Sequence, residues 1–115
     1  MYASLMFDVE DFVTPESDQV SLDLAKILTE EGLRGTFMVV GEKARAFERR
    51  KRFDVIDALK KHCIGLHTDK HSIHPTVSEY LEDKGWPDGI AEAKRREGPG
   101  VETIRSTSSA GLSFI

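Results

Sequence analysis

The sequence is poor in several features that define particular classes of protein. Its single cysteine, Cys63, leaves no possible disulfide within the chain. No apolar run approaches the roughly 20 residues of a membrane-spanning helix, and the N-terminus lacks the basic leader of a signal peptide. The net charge of −4 disfavours nucleic acid as a partner, because phosphate binding needs clustered positive charge. These absences predict a cytoplasmic protein with no membrane or nucleic-acid partner.

One basic cluster is present, formed by Arg45 and residues 49–52. Glu42 and Glu48 lie next to it, so we interpret it as a solvated helix face.

What the sequence does contain is an alternation of strand-like and helix-like segments. Three short apolar runs predict buried strands, at residues 2–7, 36–40 and 63–66. An apolar stripe at helical spacing predicts the first helix: Val20, Leu24, Ile27 and Leu28. This order predicts an α/β fold with a parallel sheet and right-handed βαβ units. At about 30 residues per unit, the chain holds about three units. A complete eight-stranded barrel needs at least about 200 residues, so a barrel of this length is not closed.

The C-terminal third is predicted to be less regular. Two weaker helices, at residues 77–83 and 90–96, flank a turn at residues 85–89, and a glycine-proline-glycine break at residues 98–100 follows. The folded domain is predicted to span residues 1–105. Residues 106–115 are small, polar and aperiodic, and we interpret them as a tail or as the product of a truncated or frameshifted reading frame.

Two polar clusters directly follow predicted strands. Asp8, Glu10 and Asp11 come after the first strand, and His67 and His71, four residues apart, come after the third. The carboxyl ends of parallel strands open on one face, so the two clusters are expected to lie side by side. Two imidazoles and a carboxylate can hold a divalent ion with positions left open for water and substrate. A second carboxylate can then act as general base toward a metal-bound water.

Each cluster taken alone has a simpler interpretation. An acidic group after a strand is often a solvated turn or a helix cap, and a histidine pair at this spacing is often a surface feature. Their shared position on one predicted face favours a metal site. His74 is interpreted as a residue that supports a metal ligand, and His62 as a structural histidine.

The same segments resemble the polysaccharide deacetylases (the NodB-homology group, carbohydrate esterase family 4). Residues 7–11 resemble the first motif of that family and residues 35–41 its second strand. Residues 65–71 match its His-Ser/Thr-x-x-His motif, which is the more specific signal, and the extension to His74 resembles a subgroup with a third histidine. The resemblance covers about residues 2–105.

The resemblance implies a distorted (β/α) barrel, of which this chain would hold the N-terminal part. It also implies a divalent metal, zinc in the first place, with cobalt, iron or manganese as alternatives. The implied reaction is hydrolysis of an amide on an N-acetylated carbohydrate, and some relatives cleave other non-peptide C–N bonds of small amides. By position, the resemblance makes Asp8 the base, His67 and His71 metal ligands, and Thr68 a brace for the histidine loop.

The carboxylate ligand departs from the family pattern. The usual motif has two adjacent aspartates, whereas Val9 follows Asp8 here, so the ligand falls to Glu10 or Asp11. Strand alternation puts Glu10 on the same side as Asp8 and therefore favours Glu10. The family's later motifs supply an arginine that orients the base, aromatic groove walls and a histidine general acid, and none has a recognisable counterpart in this sequence. We therefore expect weak metal binding, little or no catalysis and self-association through open sheet edges.

Three alternatives remain. The chain could be a non-catalytic metal-binding fragment. It could be a haloacid-dehalogenase-like phosphatase with Asp8 as nucleophile, although Glu10 and Phe12 depart from the Asp-x-Asp and Gly-Thr pattern and the histidines stay unexplained. It could be a non-heme iron oxygenase, although those folds are mostly antiparallel β.

Overall fold

The computed structural model of the protein describes residues 1–108. Its three strands form one parallel sheet in the order β1-β2-β3. The strands are β1 (Met6–Val9), β2 (Thr36–Val39) and β3 (Cys63–Leu66). The register pairs Val9 with Val39 and Val39 with Leu66, so all three carboxyl ends lie level. The predicted α/β fold with βα units is confirmed, and the sheet formed by residues 1–108 is open.

Helices follow each strand. They are α1 (Ser17–Glu30), α2 (Gly41–Arg49), α3 (Phe53–Leu59), α4 (Val77–Leu81) and α5 (Trp86–Ser108). The first helix packs against α3, and α5 packs against α2, α4 and β3. Among residues 1–108, no helix is both long and apolar enough to cross a membrane.

The hydrophobic core lies on one face of the sheet. In β2, Phe37 and Val39 are buried, whereas Thr36 and Met38 are partly exposed, because successive side chains of a strand point to opposite faces. Helices α1 and α3 contribute most of the remaining core: Leu22, Ala25, Leu28, Val55, Ile56 and Leu59. The second face is open to solvent at Met6, whose exposed fraction is 60%.

The first strand is shorter and later than predicted. It begins at Met6 and ends at Val9, while Tyr2 is fully exposed. Asp8 therefore lies within β1 and not after it. The strand was predicted too early because residues 2–7 are mostly apolar, and an apolar residue type does not show whether its side chain is buried.

The buried face of α1 also differs from the predicted stripe. Val20 and Ile27 are exposed, whereas Leu22 and Ala25 are buried next to Leu28. The buried face continues through Asp18, a charged residue that is fully buried because a lysine pairs with it. The spacing of apolar residues could not predict this buried face of α1, because its first buried residue is the charged Asp18.

The predicted turn at residues 85–89 is wrong, because these residues contain the start of α5. Pro87 occupies the first turn of the helix, where backbone N–H groups have no intrahelical partner and proline is tolerated. Asp88, also in the first turn, places a negative charge at the positive end of the helix dipole. The residues that suggested a turn are thus compatible with a helix start.

The predicted break at residues 98–100 is wrong as well. Helix α5 continues through Pro99 and extends over residues 106–108, the first three of the predicted tail. An interior proline costs about 3 kcal/mol, and packing of the following turn compensates for it. Gly100 is buried, and a Cβ there would lie 3.0 Å from a methyl carbon of Leu66, while Ile104 is buried in the core. Residues 109–115 of the predicted tail lie outside the described residues.

Candidate metal centre

The carboxyl ends of β1 and β3 bring one carboxylate and two imidazoles together. The Glu10 Oε2 atom lies 2.8 Å from His71 Nε2 and 3.2 Å from His67 Nε2. One possible ligand atom from each residue lies within 4.8 Å of the other two. Strand β2 lies between β1 and β3, so these side chains meet across the end of β2. At that end the backbone N–H of His67 donates a hydrogen bond to the Val39 carbonyl at 2.9 Å.

The loop that carries the histidines has an unusual backbone. Thr68 has φ +59° and His71 has φ +47°, in the left-handed region that side chains other than glycine rarely adopt. For the β-branched Thr68 this conformation is a strong outlier. The Thr68 Oγ1 atom accepts a hydrogen bond from the His71 N–H at 2.9 Å, and the Thr68 carbonyl accepts one from the Gly41 N–H at 3.0 Å. The folded-back loop places the two imidazole centroids 5.2 Å apart.

Asp8 lies beside this group. Its Oδ2 atom is 3.8 Å from His67 Nε2, and its side chain is more than half exposed. Glu10 is two residues further along the same extended backbone, on the side that Asp8 also faces, as strand alternation predicts. A carboxylate next to the three potential ligands is therefore available to accept a proton.

Two of the predicted site residues are engaged elsewhere. The Asp11 Oδ1 atom accepts hydrogen bonds from the N–H groups of Thr14 and Val13, both at 3.0 Å, and these bonds lower the pKa of Asp11. His74 Nδ1 lies 2.8 Å from both carboxylate oxygens of Glu79, and this contact lowers the pKa of the Glu79 carboxyl. Neither Asp11 nor His74 belongs to the three-residue group.

The sequence-based prediction did not identify Asp69 as a buried residue of the histidine loop. Only 4% of Asp69 is exposed, although it stands between charged and polar neighbours. Its Oδ1 atom accepts a hydrogen bond from Arg45 Nη2 at 2.7 Å, and Glu97 Oε2 accepts one from its backbone N–H at 2.6 Å. The sequence shows no signal of this burial, and the close packing at Gly41, where an added Cβ would collide with the Asp69 carboxylate, is visible only in the structure.

The interpretation of the basic cluster as a solvated face is wrong in part. Arg45 pairs with the buried Asp69, and Arg50 Nη1 pairs with the buried Asp18 at 2.9 Å. Arg50 Nη2 also donates to the carbonyl of Phe12 at 2.9 Å, in the loop that follows the acidic cluster. Both arginines therefore fix loops that border the candidate centre.

The donor set fits a divalent metal ion. Tetrahedral zinc with ligands at about 2.0–2.1 Å separates its ligand atoms by about 3.3 Å. The distances of 2.8 and 3.2 Å from Glu10 to the two imidazoles are close to this value. All three side chains are partly exposed, so the ligand atoms can be reached from solvent. Two nitrogens and one carboxylate oxygen also leave a fourth position free for water.

A cleft of about 620 Å³ lies beside the histidine loop. Its lining includes Lys70, His74 and Tyr80, together with three arginines. Arg45 pairs with Glu42 and Asp69, whereas Arg95 and Arg96 share the single carboxylate of Glu92. The lining thus mixes these cations with the carboxylates of Glu42, Asp69 and Glu97.

No protein-family model, curated protein or solved structure matches the chain.

Proposed function

We propose that the chain binds a divalent metal ion through Glu10, His67 and His71, and that this centre serves hydrolysis of a non-peptide carbon–nitrogen bond. The observation that carries the proposal is the convergence of Glu10 with two imidazoles at 2.8 and 3.2 Å. Glu10 and His67 stand 57 residues apart in the chain. Residues so far apart in the chain lie close together here because the parallel sheet places the carboxyl ends of β1 and β3 at the same edge.

The surrounding residues suit a hydrolytic centre. A divalent ion such as zinc lowers the pKa of a bound water to about 7. The Asp8 carboxylate lies 3.8 Å from His67 Nε2 and is free to accept a proton from a water held between the ligands and the substrate. Thr68 fixes the backbone of His71 through its hydroxyl and so orients that ligand.

The proposed class is that of the polysaccharide deacetylases, which the histidine motif at residues 65–71 resembles. The three βα units would form part of a (β/α) barrel, in which sites stand at the carboxyl ends of the strands. An N-acetylated carbohydrate, or a small amide, is the proposed substrate. Zinc is the proposed metal, with cobalt, iron or manganese as alternatives.

A second candidate function is metal binding without efficient catalysis. The observation that favours it is the exposure of the centre, since the side chains of Asp8, Glu10 and His71 are 58%, 44% and 37% exposed. Electrostatic stabilisation of a developing oxyanion is strong only where water is excluded. An open centre would bind the ion but stabilise the transition state poorly.

Calorimetric titration with zinc, and optical titration with cobalt, test the metal site. We expect the double variant His67→Ala/His71→Ala to bind either ion more than about 10-fold more weakly than the wild type. The matched control is His74→Ala, a histidine of the same loop that contacts Glu79, and it should change the affinity by less than about 3-fold. A folded wild type that binds neither ion would contradict the proposal.

Acetate release from an N-acetylated chitooligosaccharide separates the two candidate functions. A hydrolase should turn over, and Asp8→Asn should abolish turnover while leaving cobalt affinity nearly unchanged. Tight metal binding without turnover would favour the non-catalytic alternative. Turnover of a phosphate ester that survives the double histidine substitution would instead favour a phosphatase.

A further inference from the structure

We propose that Glu97 of α5 is a positioning residue that holds the histidine loop in the conformation that presents His67 and His71. The packing of α5 against the histidine loop would then influence the affinity of the chain for metal. The metal-affinity part rests on the function proposed above, whereas the positioning of the loop can be measured without metal.

The contacts of Glu97 lead directly to the centre of the loop. Its Oε2 atom accepts a hydrogen bond from the Asp69 N–H at 2.6 Å, and its Oε1 atom accepts one from the Tyr80 hydroxyl at 2.9 Å. Asp69 lies two residues after His67 and two residues before His71. A hydrogen bond to an ionised acceptor is about twice as strong as a neutral one. Glu97 therefore holds the loop midway between the two proposed ligands.

The loop has little freedom to relax while Asp69 stays in place. The Asp69 carbonyl accepts a hydrogen bond from the Glu42 N–H at 2.8 Å, and its carboxylate accepts one from Arg45. Helix α5 approaches from the other side, where a Cβ added to Gly100 would lie 3.0 Å from Asp69 Oδ1. Asp69 is thus enclosed between α2 and α5, and Glu97 provides the hydrogen bond from α5 to its backbone.

The strained residues lie on both sides of this anchor. Thr68 and His71 have positive φ angles, and such conformations persist only where the surrounding structure imposes them. If the Glu97 contact is lost, Asp69 keeps its bonds to α2 but its backbone N–H is no longer held from α5. Relaxation of the loop toward ordinary backbone angles would then move the two imidazoles apart. Metal affinity would fall although no ligand is changed.

The Tyr80 hydroxyl keeps its proton near neutral pH. Burial, and then the hydrogen bond to Glu97, raise the pKa of Tyr80 to about 12, so the Tyr80 hydroxyl remains a donor over the whole ordinary pH range. Arg96 lies over the Tyr80 ring, with its guanidinium carbon 4.9 Å from the ring centroid. Tyr80 therefore holds the Glu97 carboxylate in place from α4.

The first measurement is amide hydrogen exchange of Asp69 by NMR in the metal-free protein. Glu97→Ala should speed this exchange at least about 10-fold, because the amide loses its acceptor. Glu97→Gln should stay within about 3-fold of the wild type, since a carboxamide oxygen can still accept the bond. Glu102→Ala is the matched control, because Glu102 is also on α5 but is exposed and forms an ion pair with Arg105 of the same helix at 3.3 Å.

The second measurement is the dissociation constant for cobalt of the same four proteins. We expect Glu97→Ala to bind about 10–100-fold more weakly, as is usual when a residue that orients a metal ligand is removed. Glu97→Gln and Glu102→Ala should bind like the wild type. If Glu97→Ala does not fold, Tyr80→Phe replaces it, because this substitution removes the second contact of Glu97. It should raise the exchange rate of the Asp69 amide and the dissociation constant for cobalt, each by a smaller factor.

The outcomes separate this inference from the proposed function. A wild type that binds no cobalt, with Asp69 exchange still accelerated in Glu97→Ala, would overturn the metal site and leave the loop anchor supported. Unchanged exchange and unchanged affinity in Glu97→Ala would overturn the inference alone. Equal effects of Glu97→Ala and Glu102→Ala would also overturn it, because a general weakening of α5 would then explain both.

Discussion

Two neighbouring carboxylates, Glu10 and Asp11, differ in what their oxygens contact. Glu10 reaches both histidines, whereas Asp11 accepts two backbone hydrogen bonds within its own turn. Adjacent side chains of an extended backbone point to opposite sides, so only one of the two can face the histidines. The site therefore depends on the exact spacing between β1 and its first polar residues.

Substitution of the two carboxylates tests this difference. Glu10→Gln should weaken cobalt binding more than about 10-fold, because the carboxamide lacks the ligand charge. Asp11→Asn should leave cobalt affinity within about 3-fold and lower the melting temperature slightly. Optical titration with cobalt measures the first effect and thermal unfolding the second. A loss of affinity in Asp11→Asn alone would assign the metal carboxylate to Asp11.

The pKa of Asp11 adds a pH dependence to this comparison. Because hydrogen bonds to backbone N–H groups lower the pKa of Asp11 in the folded state, the group stabilises the fold above the unfolded-state pKa of about 4. That stability is lost as the pH falls through the lower folded-state value. The difference in melting temperature between wild type and Asp11→Asn should therefore disappear in strong acid.

At the scale of secondary structure, a buried ion pair joins α1 to α2. Lys43 Nζ lies 2.6 Å from Asp18 Oδ1, and both side chains are about 1% exposed. Lys43 also donates to Ser17 Oγ and lies over the ring of Phe47. The pair fixes the start of α1, and with it the end of the loop that carries Glu10.

Asp18→Ala tests the importance of this pair. It removes the buried counter-charge of the Lys43 ammonium and leaves it the Ser17 hydroxyl and the Phe47 ring, and removal of one member of a buried pair costs about 3–5 kcal/mol. Urea unfolding should show this loss. The control is Asp23→Ala, an exposed aspartate of the same helix, which should change stability by less than about 0.5 kcal/mol. Similar losses in both variants would mean that the buried pair contributes little.

The sequence predicted the alternation of strands and helices but not the ends of the elements or the buried charges. Strand β2 and strand β3 were predicted within one residue because short apolar runs define them, bounded by glycines at β2 and by histidines at β3. The bounds of helix α5 were not predicted correctly, because Pro87 and Pro99 suggest interruptions that the structure does not show. For the site, the clusters after β1 and β3 could be identified, whereas the role of Asp69 depends on contacts with Arg45 and Glu97 that are distant in sequence.

At the scale of the whole molecule, one face of the sheet in residues 1–108 is buried under helices, and the other is exposed at β1 and partly exposed at β2 and β3. Parallel sheets are ordinarily covered on both faces, because their strands are apolar on both sides. Within residues 1–108, β1 has a neighbouring strand on one side only, and Met6 and Leu5 expose apolar surface at this edge. An unpaired strand edge with apolar neighbours is a template for pairing with another chain.

We therefore predict reversible self-association of the chain through β1. Sedimentation velocity over a micromolar concentration series should show an average mass that rises with concentration. Met6→Lys places a charge on the open face of β1 and should weaken association at least about 10-fold, because charged residues protect strand edges. Val20→Lys introduces the same charge at an exposed position of α1 and should leave association unchanged. A wild type that stays monomeric throughout, or equal effects of the two lysines, would exclude β1 as the contact surface.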